Sequence, residues 1–277
     1  MLPRDDSELL ALAGIDAPLP PGQGLFREDS WLRRVSAESV LILGGGRALL
    51  LEVAHPLVAA GVAEHSAFRA DPLGRLQRTL DAMSAIAFRE RGAALDAARR
   101  IERAHARVRG RLAEPAGRHP AGTAYSGRDP ELMLWVWATL VDTALVVTDR
   151  FVGPLAPDAR ESYYADQRVL ARVLGIPAAL LPADWAAFAA WFDAMLASDA
   201  LAVSGAAREI AAAVLDPPVR LPVTGVVRLV TAGLLPPRLR EAFGLAWDAG
   251  RERRLADLCA SARALRAGSL DAPAKAR

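Results

Sequence analysis

Apolar residues recur along this chain at spacings of three and four positions, which is the period of an α-helix that is buried along one face. No long stretch alternates apolar and polar residues, so the pattern contains little sign of a β-sheet. Clusters of proline and glycine separate the periodic segments. The pattern predicts helices near residues 31–52, 56–65, 72–90, 92–112, 130–152, 157–174, 183–198, 199–215, 222–232, 236–247 and 250–266.

The connections between these helices are too short to indicate a boundary between two domains. We therefore expect an all-α protein with a single helical domain over residues 1–277. Its core is expected at about residues 30–215, followed by C-terminal helices at 216–266 and a solvated tail at 267–277.

Composition narrows the class of protein. The 277 residues are 52% hydrophobic and 24% charged, which is typical of a globular protein with a sizeable core. Lys and Arg number 34 against 32 Asp and Glu, and the arginines are spread along the chain, so we expect no nucleic-acid partner. Cys259 is the single cysteine, which excludes an intrachain disulfide and a cysteine metal cluster. The acidic N-terminus lacks the pattern of a signal peptide, and we expect a cytoplasmic location.

Two apolar stretches, residues 40–62 and 132–147, resemble membrane-spanning helices. The first contains Arg47 and Glu52. The second is shorter than the roughly 20 apolar residues that cross a bilayer, and it contains Asp142. We therefore expect both to be buried core helices, which can line an apolar substrate cavity, and we expect no transmembrane segment.

His105 falls on the apolar face of the predicted helix 92–112. The apolar positions of that face are Leu95, Ala98, Ile101, Val108 and Leu112. One interpretation is a core histidine that is hydrogen-bonded to a backbone carbonyl. The other is an axial ligand of a metal such as haem iron, which takes a neutral imidazole. Periodicity alone does not separate the two.

Arg75, Arg78 and Thr79 lie three and four positions apart on one face of another predicted helix, beside its apolar stripe. Polar groups in apolar surroundings cost free energy unless a partner satisfies them. In one interpretation, the arginines form ion pairs with acids such as Glu52 or Glu64. In the other, the two cations lie near a bound dioxygen or an acidic cofactor edge, where they stabilise developing negative charge.

Glu64 and His65 are adjacent on the predicted helix 56–65, so their side chains point about 100° apart and one of them faces a cavity. Facing a cationic neighbour, Glu64 would be the natural general base of the segment if burial raised the pKa of its carboxyl group. The alternative is an ion pair between Glu64 and Arg75 or Arg78.

Two other polar residues are expected to be structural. His55 precedes Pro56, which disfavours helix at the residue before it, so His55 is expected to cap or pack. Asp142 lies between apolar helical turns and must be paired or protonated. We expect a hydrogen-bond hub there, with Thr139 and Thr143 as candidate partners.

The run LILGGGRALL at 41–50 imitates a dinucleotide-binding turn through Gly44 and Gly46. The position of the third glycine holds Leu49, and no alternation of strands and helices follows. A nucleotide site is therefore disfavoured.

Four segments together resemble a known family. They read AHPLVAAGVAEHSAF, RADPLGRLQRT, HARVRG and DPELMLWVWATLVDTAL. In order and spacing they are similar to the haem-dependent oxygenase family that includes bacterial latex clearing protein and the fungal oxygenase of mycophenolic acid biosynthesis. The resemblance covers roughly residues 30–200.

The resemblance implies a globin-like arrangement of helices around haem b, with O2 as co-substrate. The family's proximal histidine lies in an H-x-x-V-x-G element, which here begins at His105. Its distal element, Arg-x-x-Lys-Thr, here begins at Arg75 and ends at Thr79, with Arg78 in place of the lysine. The family's catalytic glutamate precedes that element, and Glu64 is the nearest candidate. Trp137 stands where many relatives carry a histidine.

The first hypothesis is a cytoplasmic haem b oxygenase for an apolar, isoprenoid-like small molecule, acting by oxidative cleavage of a carbon–carbon double bond. His105 would hold the iron. Arg75, Arg78 and Thr79 would orient dioxygen, the two arginines also contacting the cofactor, and Glu64 would carry protons. The second hypothesis is a non-catalytic haem- or lipid-binding helical protein, and the third is a haem-free helical scaffold. The oligomeric state is left open.

Overall fold

The computed structural model describes residues 5–15, 22–66, 72–216 and 224–270. The α-helices in these ranges are α1 Asp6–Ala13, α2 Trp31–Ser36, α3 Gly45–Ala54, α4 Pro56–His65, α5 Pro72–Phe88, α6 Arg91–Arg107, α7 Pro130–Phe151, α8 Pro157–Val173, α9 Trp185–Ala197, α10 Gly205–Leu215, α11 Thr224–Leu234, α12 Pro237–Ala242 and α13 Ala249–Leu270. Short 3₁₀-helices cover Ser39–Gly44 and Ala178–Leu180. The expectation of an all-α protein is confirmed.

A small hairpin interrupts the helices. Strands β1, Arg109–Arg111, and β2, Ala124–Ser126, pair antiparallel, with Gly110 opposite Tyr125. The predicted helix 92–112 is therefore wrong at its end. The helix stops at Arg107 because the following residues take up backbone hydrogen bonds with β2 and the residue after it, including Gly127 N–H to the Val108 carbonyl.

The predicted helix 31–52 is also wrong, because α2, a 3₁₀-helix and α3 replace it. Gly44 and Gly46, at the junction of the 3₁₀-helix with α3, lie where neighbouring helices leave no room for a side chain. A Cβ on Gly44 would lie 2.7 Å from the Thr143 side chain, and one on Gly46 would lie 2.1 Å from Thr231 Oγ1. The glycine run therefore permits close packing of helices.

Other boundaries differ from the predicted ones by smaller amounts. Helix α10 begins at Gly205 rather than near residue 199, because Ser204 caps it and Ala202 donates its N–H to the Ala54 carbonyl. Helix α12 ends at Ala242, before a turn at Gly244 with φ +68°. Helix α1 was not predicted, and its N-cap is Asp5, whose side chain accepts from the Glu8 N–H. The expected tail lies mostly outside the described residues.

Helix α7 is the central element of the main core. Its buried residues meet α3, α8 and α9, and the largest of them are Trp135 and Trp137. The Trp137 ring lies 5.8 Å from Phe188 and 6.1 Å from Tyr164 between ring centroids. Asp129 begins the helix by accepting hydrogen bonds from the two N–H groups of Glu131 and Leu132.

Helix α7 also has the length of a membrane span. It contains 22 residues, so the expectation that this stretch is too short to cross a bilayer was wrong. Of its most apolar window, 61% is buried inside the protein, as in the core helix of a soluble protein. A second candidate among the described residues, Ser39–Ala54 with Pro56–His65, is bent by 110°. The absence of a transmembrane segment stays a prediction.

Candidate functional site

His105 lies in the last turn of α6, directly before the hairpin. The residue is partly exposed, but its Nδ1 is buried and has no hydrogen-bond partner among the residues that the structure describes. Burial lowers the pKa of the imidazole, and the nearby Glu102 opposes that effect only in part. The ring is therefore held neutral at physiological pH, which is the state that ligates a metal.

The backbone around His105 is fixed by close packing. The His105 carbonyl accepts a hydrogen bond from the Val108 N–H at 3.0 Å, which ends the helix. A Cβ on Gly127 would lie 2.7 Å from the same carbonyl oxygen. A Cβ on Gly61 of α4 would lie 3.1 Å from Val108. Two glycines thus let the hairpin and α4 approach the end of α6.

Glu64 and Tyr125 meet at Gly110, the glycine of the HARVRG segment. A Cβ at this position would lie 2.4 Å from the Tyr125 hydroxyl oxygen and 2.9 Å from Glu64 Oε2. Tyr125 is 4% exposed. Burial and the Glu64 carboxylate raise the pKa of its hydroxyl, which keeps the hydroxyl protonated beside the carboxylate. Sequence reasoning missed Tyr125, since only the pairing of β1 with β2 brings it to Gly110.

Helix α5 carries the Arg/Thr element. Arg78 and Thr79 are exposed, while the side chain of Arg75 lies outside the described residues. Helices α5 and α6 pack against each other and are joined by a two-residue connection at 89–90. In such an antiparallel pair, position 75 is level with the His105 turn, and Arg78 and Thr79 lie about one turn nearer the connection.

The other two histidines of the polar block contact different partners. His55 caps α4 as predicted, with its Nδ1 accepting the Leu57 N–H at 3.3 Å. Its ring lies 5.0 Å from that of His119. Burial, His119 and Arg118 together lower the pKa of His55 to about 4. The ring of His65 lies 3.1 Å, Nε2 to oxygen, from the Arg109 carbonyl.

Asp142 is paired, as expected for an acid between apolar turns, but the expected hub with threonine partners was wrong. Its Oδ2 pairs with Nη2 of Arg47 at 2.7 Å. Thr143 Oγ1 instead accepts from Arg47 Nη1 at 2.6 Å, and Thr139 donates to the Val136 carbonyl at 2.7 Å. The sequence did contain a sign of this pair, since Arg47 and Asp142 are opposite charges that each lie inside an apolar stretch, and buried charges require a partner.

The described residues contain no group of three or more His, Cys, Asp or Glu side chains that could hold a metal ion. A metal carried by a prosthetic group needs only one side chain from the protein. His105 fits that requirement, since it offers a neutral imidazole on a helix end that is fixed by packing.

Comparison with known proteins gives one match. Residues 32–266 match the family described as ER-bound oxygenase mpaB/B'/rubber oxygenase, catalytic domain. No curated protein and no solved structure is significantly similar to the chain. The match extends from α2 into α13 and therefore contains His105, Glu64 and the Arg/Thr element. The chain belongs to the family of the mpaB/B' oxygenases and rubber oxygenase, whose catalytic domain it contains.

Proposed function

We propose that the protein is a haem b-dependent oxygenase that acts on an apolar, isoprenoid-like small molecule in the cytoplasm. The observation that carries the proposal is the neutral imidazole of His105, whose buried Nδ1 has no partner among the described residues. A structural core histidine would hold that nitrogen in a hydrogen bond. Membership of an oxygenase family supplies the reaction class.

His105 is the residue that would hold the iron. Haem, when bound, supplies the redox chemistry that activates O2 for insertion into a carbon–carbon double bond. The protein fixes the ligand by ending α6 at Arg107 and packing Gly127 and Val108 against the turn. Such support orients a metal ligand and excludes alternative ring positions.

Arg75, Arg78 and Thr79 are proposed to donate hydrogen bonds to negative charge that develops during the reaction. A guanidinium and a hydroxyl are suited to this because both are donors at neutral pH. The three positions share one face of α5, on which Arg78 and Thr79 are exposed. Helix α5 as a whole packs on α6, the helix of His105. Arg75 and Arg78 are also proposed to bind the acidic edge of the cofactor.

Glu64 is proposed to carry a proton at its carboxylate. The carboxylate lies beside the hydroxyl of Tyr125, which is kept protonated by burial and by Glu64 itself. The Glu64 side chain is exposed, so its carboxylate can exchange a proton with a bound substrate or with solvent.

The second candidate is a non-catalytic haem- or lipid-binding protein. Arg78 stands where the oxygenase family that this chain resembles has a lysine. Because arginine and lysine are not interchangeable, this change at a proposed distal position favours the non-catalytic candidate. The two candidates differ in turnover. An oxygenase consumes O2 when the reduced protein is given an unsaturated terpenoid, whereas a binding protein consumes none above background.

The first test is an absorption spectrum of the protein produced with added haem, before and after dithionite and then carbon monoxide. We expect a Soret band that shifts on reduction and again with carbon monoxide. A protein that takes up no haem at any ratio, while its far-ultraviolet circular dichroism shows a folded helical chain, would contradict the proposal.

A further inference from the structure

A cleft lies between α11 and α13, away from α4–α6 and the proposed haem ligand. Its volume is about 260 Å³, and residues 245–247 between α12 and α13 contribute to its lining. The apolar part of its lining comes from Leu229 and Ala232 of α11 and from Leu245. Neither the proposed reaction nor its named residues use this cleft.

Three arginines line the cleft, and acids compensate only two of them. Arg228 pairs with Asp216, and Arg251 pairs with Asp248. Arg254 makes no ion pair with any residue in the described ranges. The two pairs are about half exposed, and exposed ion pairs are weak enough to exchange partners. Glu252, which accepts the Trp247 indole N–H, is a third acid at the cleft, and Arg240 over the same ring is a fourth cation. Among the described residues, four cations against three acids leave one positive charge in excess.

Trp247 forms a rigid wall of the same cleft. Its indole N–H donates to Glu252 Oε2 at 2.9 Å, and the Arg240 guanidinium lies 4.9 Å from the ring centroid. Gly233 admits the ring against α11, since a Cβ there would lie 2.4 Å from it. An aromatic ring held at three points can pack against an apolar group without losing conformational freedom.

We propose that this cleft binds a small organic monoanion: a carboxylate head that contacts Arg254 and Arg251, and a short apolar body that packs on Trp247 and Leu245. The shape and the charge agree with this class. A guanidinium binds a carboxylate through two parallel hydrogen bonds. The volume is below the roughly 300–1,000 Å³ of pockets for drug-sized ligands, so the cleft suits a body of medium chain length. The arginines then favour a carboxylate over an uncharged isoprenoid of similar size.

The test is isothermal titration calorimetry of the full-length chain, purified with its bound groups, against octanoate. We expect saturable one-to-one binding, and an affinity about tenfold lower in Arg254→Gln because a charge-assisted hydrogen bond is lost. Arg253→Gln is the matched control, since Arg253 lies on the same helix and does not line the cleft. Octanol, which has the same chain without the charge, should bind at least tenfold more weakly than octanoate.

Three outcomes would overturn the assignment. They are no saturable binding of octanoate, equal affinities in Arg254→Gln and Arg253→Gln, and equal affinities for octanoate and octanol. A second variant, Trp247→Leu, tests the apolar wall and should weaken octanoate binding while Arg253→Gln does not. None of these results depends on haem. If octanoate does not bind in the cleft, the oxygenase proposal is unaffected, and if the protein takes up no haem, the carboxylate proposal is unaffected.

Discussion

Arg47 of α3 and Asp142 of α7 form an ion pair inside the protein, 2.7 Å from Nη2 to Oδ2, although 95 positions separate them in the sequence. The Arg47 side chain is 4% exposed. Its other nitrogens bond to Thr143 Oγ1 and to the Leu234 carbonyl of α11. A single guanidinium therefore joins three helices, and its charge is compensated only by Asp142 among the residues it contacts.

The first prediction follows from that pair. Asp142→Asn should lower the free energy of unfolding by about 3–5 kcal/mol, because a buried guanidinium loses its counter-charge. Urea unfolding followed by circular dichroism measures this. Replacing both partners, Arg47→Met with Asp142→Leu, should recover part of the loss, since no uncompensated charge remains.

The matched control is Asp216→Asn. Asp216 pairs with Arg228 on the surface, where both side chains are about half exposed. That variant should change the free energy of unfolding by less than about 1 kcal/mol. Equal losses in Asp142→Asn and Asp216→Asn would show that the buried pair has no special weight.

The second prediction concerns Gly110. Gly110→Ala places a Cβ 2.4 Å from the Tyr125 hydroxyl oxygen, so it should cost about 1–3 kcal/mol of stability through overpacking. Tyr125→Phe removes that oxygen but keeps the ring carbon Cζ, 2.6 Å from the same Cβ, so combined with Gly110→Ala it should restore only part of the loss. Thermal and urea unfolding of the two single variants and the double variant give the coupling.

Gly92→Ala is the control for this series. Gly92 lies in the first turn of α6, and a Cβ there meets no atom within 4 Å. The free energy of unfolding of Gly92→Ala should be unchanged or raised by up to about 1 kcal/mol, because alanine favours helix more than glycine does. If the double variant is no more stable than Gly110→Ala, the hydroxyl contact is not the cause of the loss.

The third prediction concerns pH. Burial, His119 and Arg118 lower the pKa of His55 from about 6.5 in the unfolded chain to about 4 in the folded one. Between these values the unfolded chain binds more protons, so stability rises with pH. The contribution of His55 is complete above about pH 6.5 and is lost as pH falls toward 4, by about 3 kcal/mol in total.

Urea unfolding at pH 7.5 and at pH 5 measures the slope, and His55→Asn tests its origin. Asparagine keeps an N-cap acceptor for α4 but does not titrate. The variant should show a shallower loss of stability at pH 5. Part of the slope should remain, because burial also lowers the pKa values of His105 and His119. An unchanged slope in His55→Asn would contradict the assignment.

The fourth prediction concerns His105. His105→Ala should lose most of the Soret absorbance per mole of protein, because the proposed ligand of the iron is removed. His65→Ala is the control, since His65 is exposed and contacts the Arg109 carbonyl. Circular dichroism establishes that both variants are folded. Full haem retention in folded His105→Ala would remove His105 from the ligand assignment.

Local pattern in the sequence determined much of the fold. The period of apolar residues identified α4 at its observed ends, Pro56 and His65, and α7 and α8 to within one residue. The His55 cap followed from the proline after it. Such features are set by neighbouring residues within a turn or two, so a sequence window contains the whole cause. The pattern of polar residues also singled out the HARVRG and Arg/Thr segments, whose roles stay predictions.

Contacts between distant segments were decided only by the tertiary structure. Pairing of β1 with β2 ends α6 and brings Tyr125 to Gly110 and Glu64. Packing of α3 on α7 selects Arg47, rather than the nearer threonines, as the partner of Asp142. These outcomes depend on which helix faces approach each other, and that is fixed by side-chain packing across the whole core. Helical periodicity describes one segment at a time and carries no information about the neighbour it will meet.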